Sequence, residues 1–239
     1  MDLIICFIDD SGFEHDMVRN AIAPAEKRLD FVQAYSFDEA RSKLNGRIPG
    51  LFLLDLWGQD AEIENPSITP REELEKRISG FNNLDYVYDG LDSLSGDRVN
   101  EYLKRFFSIV DSWRSLFESV CSRIGQNNKY GLNNLKCART EFPGVPAVFY
   151  TRKSLINDAV QMIKAGTDGL FIKPTGKNDE ETRRITREYA PDLITSLLKI
   201  IRLKIVDLLL YRDYYASYSP KTGEAITGLV NCWKEFKNN

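Results

Sequence analysis

The chain has 239 residues, enough for one large domain or one standard domain with additional parts. Hydrophobic residues make up 43% and charged residues 28%, which supplies a real core and excludes a mainly disordered chain. With 32 basic against 35 acidic residues the net charge is −3, so no basic footprint argues for direct nucleic-acid binding.

Cys6, Cys121, Cys137 and Cys232 are scattered without a CxxC pair, and His15 is the single histidine. A Cys/His zinc site and a histidine general base are thereby disfavoured. The apolar run at 3–8 is too short for a signal peptide and runs into two aspartates. Residues 197–211 are interrupted by Lys199, Arg202, Lys204 and Asp207 and cannot span a bilayer. The expectation is a soluble, cytoplasmic protein with reduced thiols and no membrane contact.

In chain order, Leu3 to Ile8 reads as a strand buried on both faces, ending at Asp9-Asp10. A helix follows over 13–23, with Ser11 as its cap. Phe31 to Tyr35 reads as a second strand, and Ser36 caps a short helix stopped by Asn45-Gly46. Leu51 to Leu54 is a third buried strand, ending in Asp55. This order implies right-handed crossovers and a parallel sheet with helices on both faces. The alternation then stops. Pro70 to Ser79 reads as a helix, 85–96 as an exposed loop, and 97–125 as a long helix. Its single apolar stripe, Val99, Tyr102, Leu103, Phe106, Val110, Trp113, Phe117, Val120, Cys121 and Ile124, reads as core packed on the sheet domain or in a hairpin with 70–79 and part of 126–142. Residues 126–145, rich in Asn and Gly, look loop-like. Regularity resumes with a strand at 147–150 ending in Thr151, a helix at 154–165, and a strand at 169–172 ending in Lys173-Pro174. Residues 189–211 and 222–236 read as closing helices, the first apolar on more than one side and buried against the second or against a partner subunit.

Ligands of open parallel sheets gather at the carboxyl ends of the strands. Asp9, Asp10, Asp55, Thr151 and Lys173 all fall there. Three carboxylates at one sheet edge repel one another, and a divalent cation that prefers oxygen ligands relieves that repulsion. A lysine can pair with a carboxylate or phosphoryl group, a threonine hydroxyl can donate to a phosphoryl oxygen, and an aspartate can act as nucleophile. The residue types point to phosphoryl transfer onto an aspartate.

The segments Ile8-Asp9-Asp10-Ser11, Leu53-Leu54-Asp55-Leu56, Phe149-Tyr150-Thr151 and Ile172-Lys173-Pro174, with Ala165-Gly166-Thr167-Asp168-Gly169, resemble the receiver domain of two-component response regulators, of the CheY-like superfamily. The resemblance implies an α/β, flavodoxin-like (βα)5 doubly wound parallel sheet of order 2-1-3-4-5. Residues 1–57 and 146–212 would form the receiver, 58–145 a helical insertion and 213–239 a C-terminal helical extension. Asp55 would be the phosphoacceptor, with Mg²⁺ held by Asp9, Asp10, Asp55 and the backbone carbonyl of Trp57. Thr151 would be the switch hydroxyl and Lys173 the phosphate-pairing lysine, its bond to Pro174 cis. A histidine kinase or phosphotransfer protein would be the donor and an unidentified protein the downstream partner, with a homodimer left open. Such a chain is a signalling domain, not a turnover enzyme. The alternative is an unphosphorylated pseudo-receiver acting as an interaction module. Three residues depart from the family: Arg152 follows the hydroxyl residue where a small side chain is usual, Trp57 stands two beyond Asp55, and Leu170 replaces a frequent aromatic. A haloacid-dehalogenase-type phosphohydrolase fits less well, because its two aspartates are separated by one residue and here they are adjacent.

Overall fold

The computed structural model describes residues 3–59, 66–152, 156–211 and 220–238. Met1–Gly58 together with Asn128–Asn239 form one compact unit, and Gln59–Asn127 form a second.

The first unit is built on five parallel strands: β1 (Leu3–Ile8), β2 (Leu29–Ala34), β3 (Leu51–Leu54), β4 (Ala147–Thr151) and β5 (Gly169–Ile172), ordered β2-β1-β3-β4-β5. This is a flavodoxin-like α/β sheet. Strand sequence matches strand position. Every residue of β1, β3 and β4 is buried, as central strands covered on both faces require, while β2 and β5, at the edges, carry half-buried or exposed residues. Leu3, Ile5, Phe7, Leu51, Leu53, Val148 and Tyr150 share one core with Val18 and Ile22 of the wider-pitched turn Val18–Ile22, which continues α1 (Gly12–Met17), and with α8 (Asp179–Leu210). On the opposite face Phe52 meets Phe142, and Phe37 of α2 (Phe37–Leu44) joins them to make an aromatic cluster.

The helix after the second unit corrects the loop reading of 126–145. Residues Lys129–Glu141 form α6, which packs on β3 and β4. Leu135 and Ala138 lie one turn apart and are buried, so helical spacing prevails over an Asn-rich composition. Helix α6 lies in the same compact unit as the sheet, which resumes at Asn128. The helix read from 154 is described from Ile156 to Lys164 (α7), and Ser154 lies outside the described residues. The helix read from 189 begins ten residues earlier, at Asp179, where the Asn178 side chain caps the Glu181 amide.

Residues Pro220–Asn238 form α9. Its Ile226, Leu229, Val230 and Phe236 join the core with Leu3, Leu29 and Leu208. Arg28 lies 4.5 Å above the Phe236 ring, and the Cys232 sulfur is 3.9 Å from the Ile48 carbonyl oxygen. Arg28 immediately precedes β2 and Ile48 lies three residues before β3, so α9 lies at the amino-terminal end of the sheet. No helix among the described residues is long and apolar enough to cross a membrane.

The second unit contains α3 (Arg71–Ser79), α4 (Leu84–Tyr88) and α5 (Arg98–Arg123). Helix α4 and a 3₁₀ turn at Leu91–Ser93 occupy the stretch read as a loop. Arg77 donates to the Ser119 hydroxyl at 2.8 Å and Arg123 pairs with Glu73 at 2.6 Å, which ties α3 to α5 as an antiparallel pair. Arg105 donates to the carbonyls of Tyr86 and Asp89, which anchors α4. Of the stripe on α5 only Cys121 is buried, and the other buried residue of the helix, Leu116, lies outside the stripe as read. Val99, Leu103, Phe106, Val110, Trp113 and Phe117 are exposed, because α3 and α4 are too short to cover 26 residues of helix.

Candidate functional site

Five strand-end residues converge at the carboxyl edge of the sheet. β1 ends in Asp9 and Asp10, β3 in Asp55, β4 in Thr151 and β5 in Lys173. Their backbone is fixed by the ladder itself: the Asp55 amide donates to the Ile8 carbonyl and the Lys173 amide to the Thr151 carbonyl. Asp9 is fully buried, Lys173 3% exposed and Asp55 6% exposed.

The Lys173 ammonium is the centre of the cluster. Its Nζ lies 2.5 Å from Asp9 Oδ2, 3.0 Å from Asp55 Oδ1 and 3.9 Å from Glu14 Oε2. Burial pulls the lysine toward neutrality, but Asp55, Asp9 and Glu14 outweigh it and hold the ammonium above its ordinary range. For Asp9 and Asp55 burial is the largest influence and raises both carboxyls, with Lys173 opposing. The Thr151 hydroxyl bears on Asp55 and has no other hydrogen-bond partner among the described residues.

One carboxylate oxygen each from Asp9, Asp10 and Asp55 lies within 4.8 Å of the others. Asp9 Oδ1 accepts from the Ser11 amide at 2.9 Å, which leaves its orientation fixed. The donors are all oxygen, and the Lys173 ammonium is shared by the two buried carboxylates, Asp9 and Asp55. This set fits a hard divalent ion such as Mg²⁺ or Mn²⁺ and not a soft one. Trp57 is buried two residues past Asp55, in the same loop.

Three residues at this edge were not singled out as site residues by the sequence. Glu14 stands one helical turn after Asp10 and is buried beside Lys173; its spacing from Asp10 was the available signal. Tyr130 and Gly131 lay in the stretch read as loop. Gly131 presses on the acceptor loop: a Cβ there would stand 2.3 Å from the Asp55 carbonyl oxygen, and its amide donates to the Leu56 carbonyl at 3.0 Å. The Tyr130 ring covers Gly58, and its hydroxyl donates to the Tyr35 carbonyl at 2.7 Å. Burial, with Asp9, Asp10 and Asp55 nearby, raises the Tyr130 phenol. His15 hydrogen-bonds the Asp9 carbonyl through Nε2 at 2.9 Å and packs against Phe7 and Tyr35. No cis peptide bond occurs among the described residues, so the bond to Pro174 is trans, contrary to the family expectation. Leu170, on the edge strand β5, is 36% exposed.

No protein-family model matches the sequence, and no curated protein matches it. Among solved structures, a receiver domain protein from Methanospirillum hungatei JF-1 shares 13% identity over 82% of this chain and 99% of its own, with a TM-score of 0.37. A response regulator from Thermotoga maritima shares 12% over 82% and 98%, with a TM-score of 0.42. The receiver domain of NtrX from Brucella abortus shares 16% over 79% and 98%, with a TM-score of 0.38. By its own sheet order the chain is a flavodoxin-like α/β protein.

Proposed function

We propose that the chain is a receiver that accepts a phosphoryl group on Asp55, with a divalent ion held by Asp9, Asp10, Asp55 and the Trp57 carbonyl, Mg²⁺ being the ion expected. The observation that carries this reading is the buried Lys173 ammonium bridging Asp9 and Asp55 beside a three-carboxylate cluster. Lysine fixes Asp9 and neutralises charge that would otherwise keep a phosphorylated donor away. One Asp55 carboxylate oxygen attacks phosphorus; the bond from phosphorus to the donor atom breaks, and that atom leaves with the electron pair. An ion held by Asp9, Asp10 and Asp55 would supply positive charge for the phosphoryl oxygens. Thr151 donates its hydroxyl to one phosphoryl oxygen and Lys173 its ammonium to another.

A phosphohistidine on a kinase or phosphotransfer protein is the donor class for this chemistry. The phosphorylated form shifts the population of arrangements at Thr151 and Lys173, and a protein partner reads the difference. Beryllofluoride, a phosphoryl mimic, tests the assignment. With Mg²⁺ it is expected to change tryptophan fluorescence through Trp57, and Asp55→Asn is expected to abolish the change. Binding retained in Asp55→Asn refutes the assignment. No binding by the unaltered chain favours the pseudo-receiver alternative.

A further inference from the structure

Arg152 is the residue in which this site departs most from the pattern it resembles, and the structure gives it a specific resting position. One guanidinium nitrogen lies 2.8 Å from Glu14 Oε1, and another donates to the Pro174 carbonyl at 3.3 Å. Its plane lies over the Phe13 ring, with the guanidinium carbon 5.9 Å from the ring centre. The Nε has no hydrogen-bond partner among the described residues. Glu14 in turn reaches Lys173 at 3.9 Å, and Lys173 reaches Asp55 at 3.0 Å. A continuous chain of alternating charge therefore runs from Asp55 through Lys173 and Glu14 to Arg152.

We infer that Arg152 is a phosphoryl-contacting residue held in reserve by Glu14. When Asp55 carries a phosphoryl group, the guanidinium exchanges the Glu14 carboxylate for phosphoryl oxygens. This inference rests on the phosphoacceptor reading of Asp55 and deepens it.

Three physical points carry the exchange. A guanidinium binds phosphoryl oxygens in a two-point fork at least as well as it binds a carboxylate, so the new partner can compete with the old one. Arg152 follows Thr151 directly in the chain, and its unpartnered Nε is a donor available to a second acceptor. Glu14 sets the opposing cost: it is buried, and when Arg152 leaves, the cation it retains among the described residues is the more distant Lys173. Glu14 is thus a positioning residue that makes the arginine expensive to move. The Phe13 ring keeps a cationic landing surface through Arg183, whose guanidinium carbon is 5.4 Å from its centre.

The test is beryllofluoride affinity in Mg²⁺ for the full chain and for E14Q, R152A, R152K and E14Q/R152A, each first shown to unfold cooperatively. R152A is expected to weaken binding about tenfold, the loss of one charge-assisted contact. E14Q, which removes the competing carboxylate charge without changing shape, is expected to tighten it about tenfold. In the R152A background E14Q is expected to change affinity by less than about twofold, because its effect runs through the guanidinium. R152K, which keeps the charge and loses the fork, is expected to fall between the unaltered chain and R152A. Binding unchanged in R152A, or E14Q acting equally with and without Arg152, overturns the exchange while leaving the acceptor reading intact. Failure of the unaltered chain to bind beryllofluoride overturns both readings. If R152A does not fold, E14Q against E14Q/R152K decides: an unchanged affinity between them overturns the inference, and a weaker E14Q/R152K supports it.

Discussion

The two ends of the same five strands are finished in opposite ways. At the amino end α9 lays Ile226, Leu229, Val230 and Phe236 against the apolar core, so that end of the sheet is sealed by area alone. At the carboxyl end the strands stop in Asp9, Asp55, Thr151 and Lys173, buried groups that satisfy one another only in part. Burying apolar surface stabilises without further conditions, whereas burying charge is tolerable only while each partner is present. The sheet thus carries its stability at one end and a poised, partner-dependent cluster at the other.

Breaking the charged end is expected to have the largest effect. Lys173→Met leaves Asp9 and Asp55 buried without their cation and should cost about 3–5 kcal/mol in denaturant unfolding without divalent ions. Added Mg²⁺ should restore part of that loss. At the sealed end Leu229→Ala removes a fully buried side chain and should cost about 3 kcal/mol. Beryllofluoride affinity per folded molecule should stay unchanged in this variant, which separates the two ends experimentally. Gly131→Ala forces a methyl against the Asp55 carbonyl and should cost about 2 kcal/mol. Unlike Leu229→Ala, it should also weaken Mg²⁺ binding, because the displaced loop carries Asp55.

Two smaller effects sharpen the contrast. Burial raises the Asp55 carboxyl, so its folded pKa lies above the unfolded one. Stability from this group is full below the ordinary carboxylate range and falls as pH rises through the raised value. Near neutral pH, Asp55→Asn should therefore raise the melting temperature, by about 2–4 °C if the gain is near 1 kcal/mol. The same raised carboxyls on Asp9 and Asp55 set the sign for the ion: protons compete with it, so Mg²⁺ affinity should fall on acidification, beginning above the usual carboxylate range. Calorimetric titration across pH checks this, and affinity flat down to the ordinary range contradicts it.

How far the sequence revealed these features depended on whether the signal was local. β1, β3 and β4 are unbroken apolar runs, and each ends in the polar residue that the sheet then brings to its edge, so a parallel sheet with Asp9, Asp10, Asp55 and Thr151 at one edge was legible, while the strand order came only with the family resemblance. Lys129–Glu141 was not, because Asn133, Asn134 and Gly131 resemble a loop until one sees that Gly131 is needed for contact with the Asp55 loop and that Leu135 and Ala138 face the sheet. The α5 stripe showed helix faithfully but not its surroundings, since periodicity reports which face is apolar and not whether anything covers it. Glu14 was hidden for a related reason: a carboxylate in a first helical turn usually complements the helix dipole in solvent, and its burial depends on Lys173 and Arg152, both distant in sequence.

The central claim is that Asp55, among three neighbouring carboxylates, is the one that accepts phosphorus. Incubation with acetyl phosphate and Mg²⁺, followed by borohydride trapping of acyl phosphate and peptide mass mapping, locates the acceptor directly. The account predicts a single modified residue, Asp55, and no modification when Mg²⁺ is withheld. A label on Asp9 or Asp10, or labelling that persists in Asp55→Asn, would contradict it.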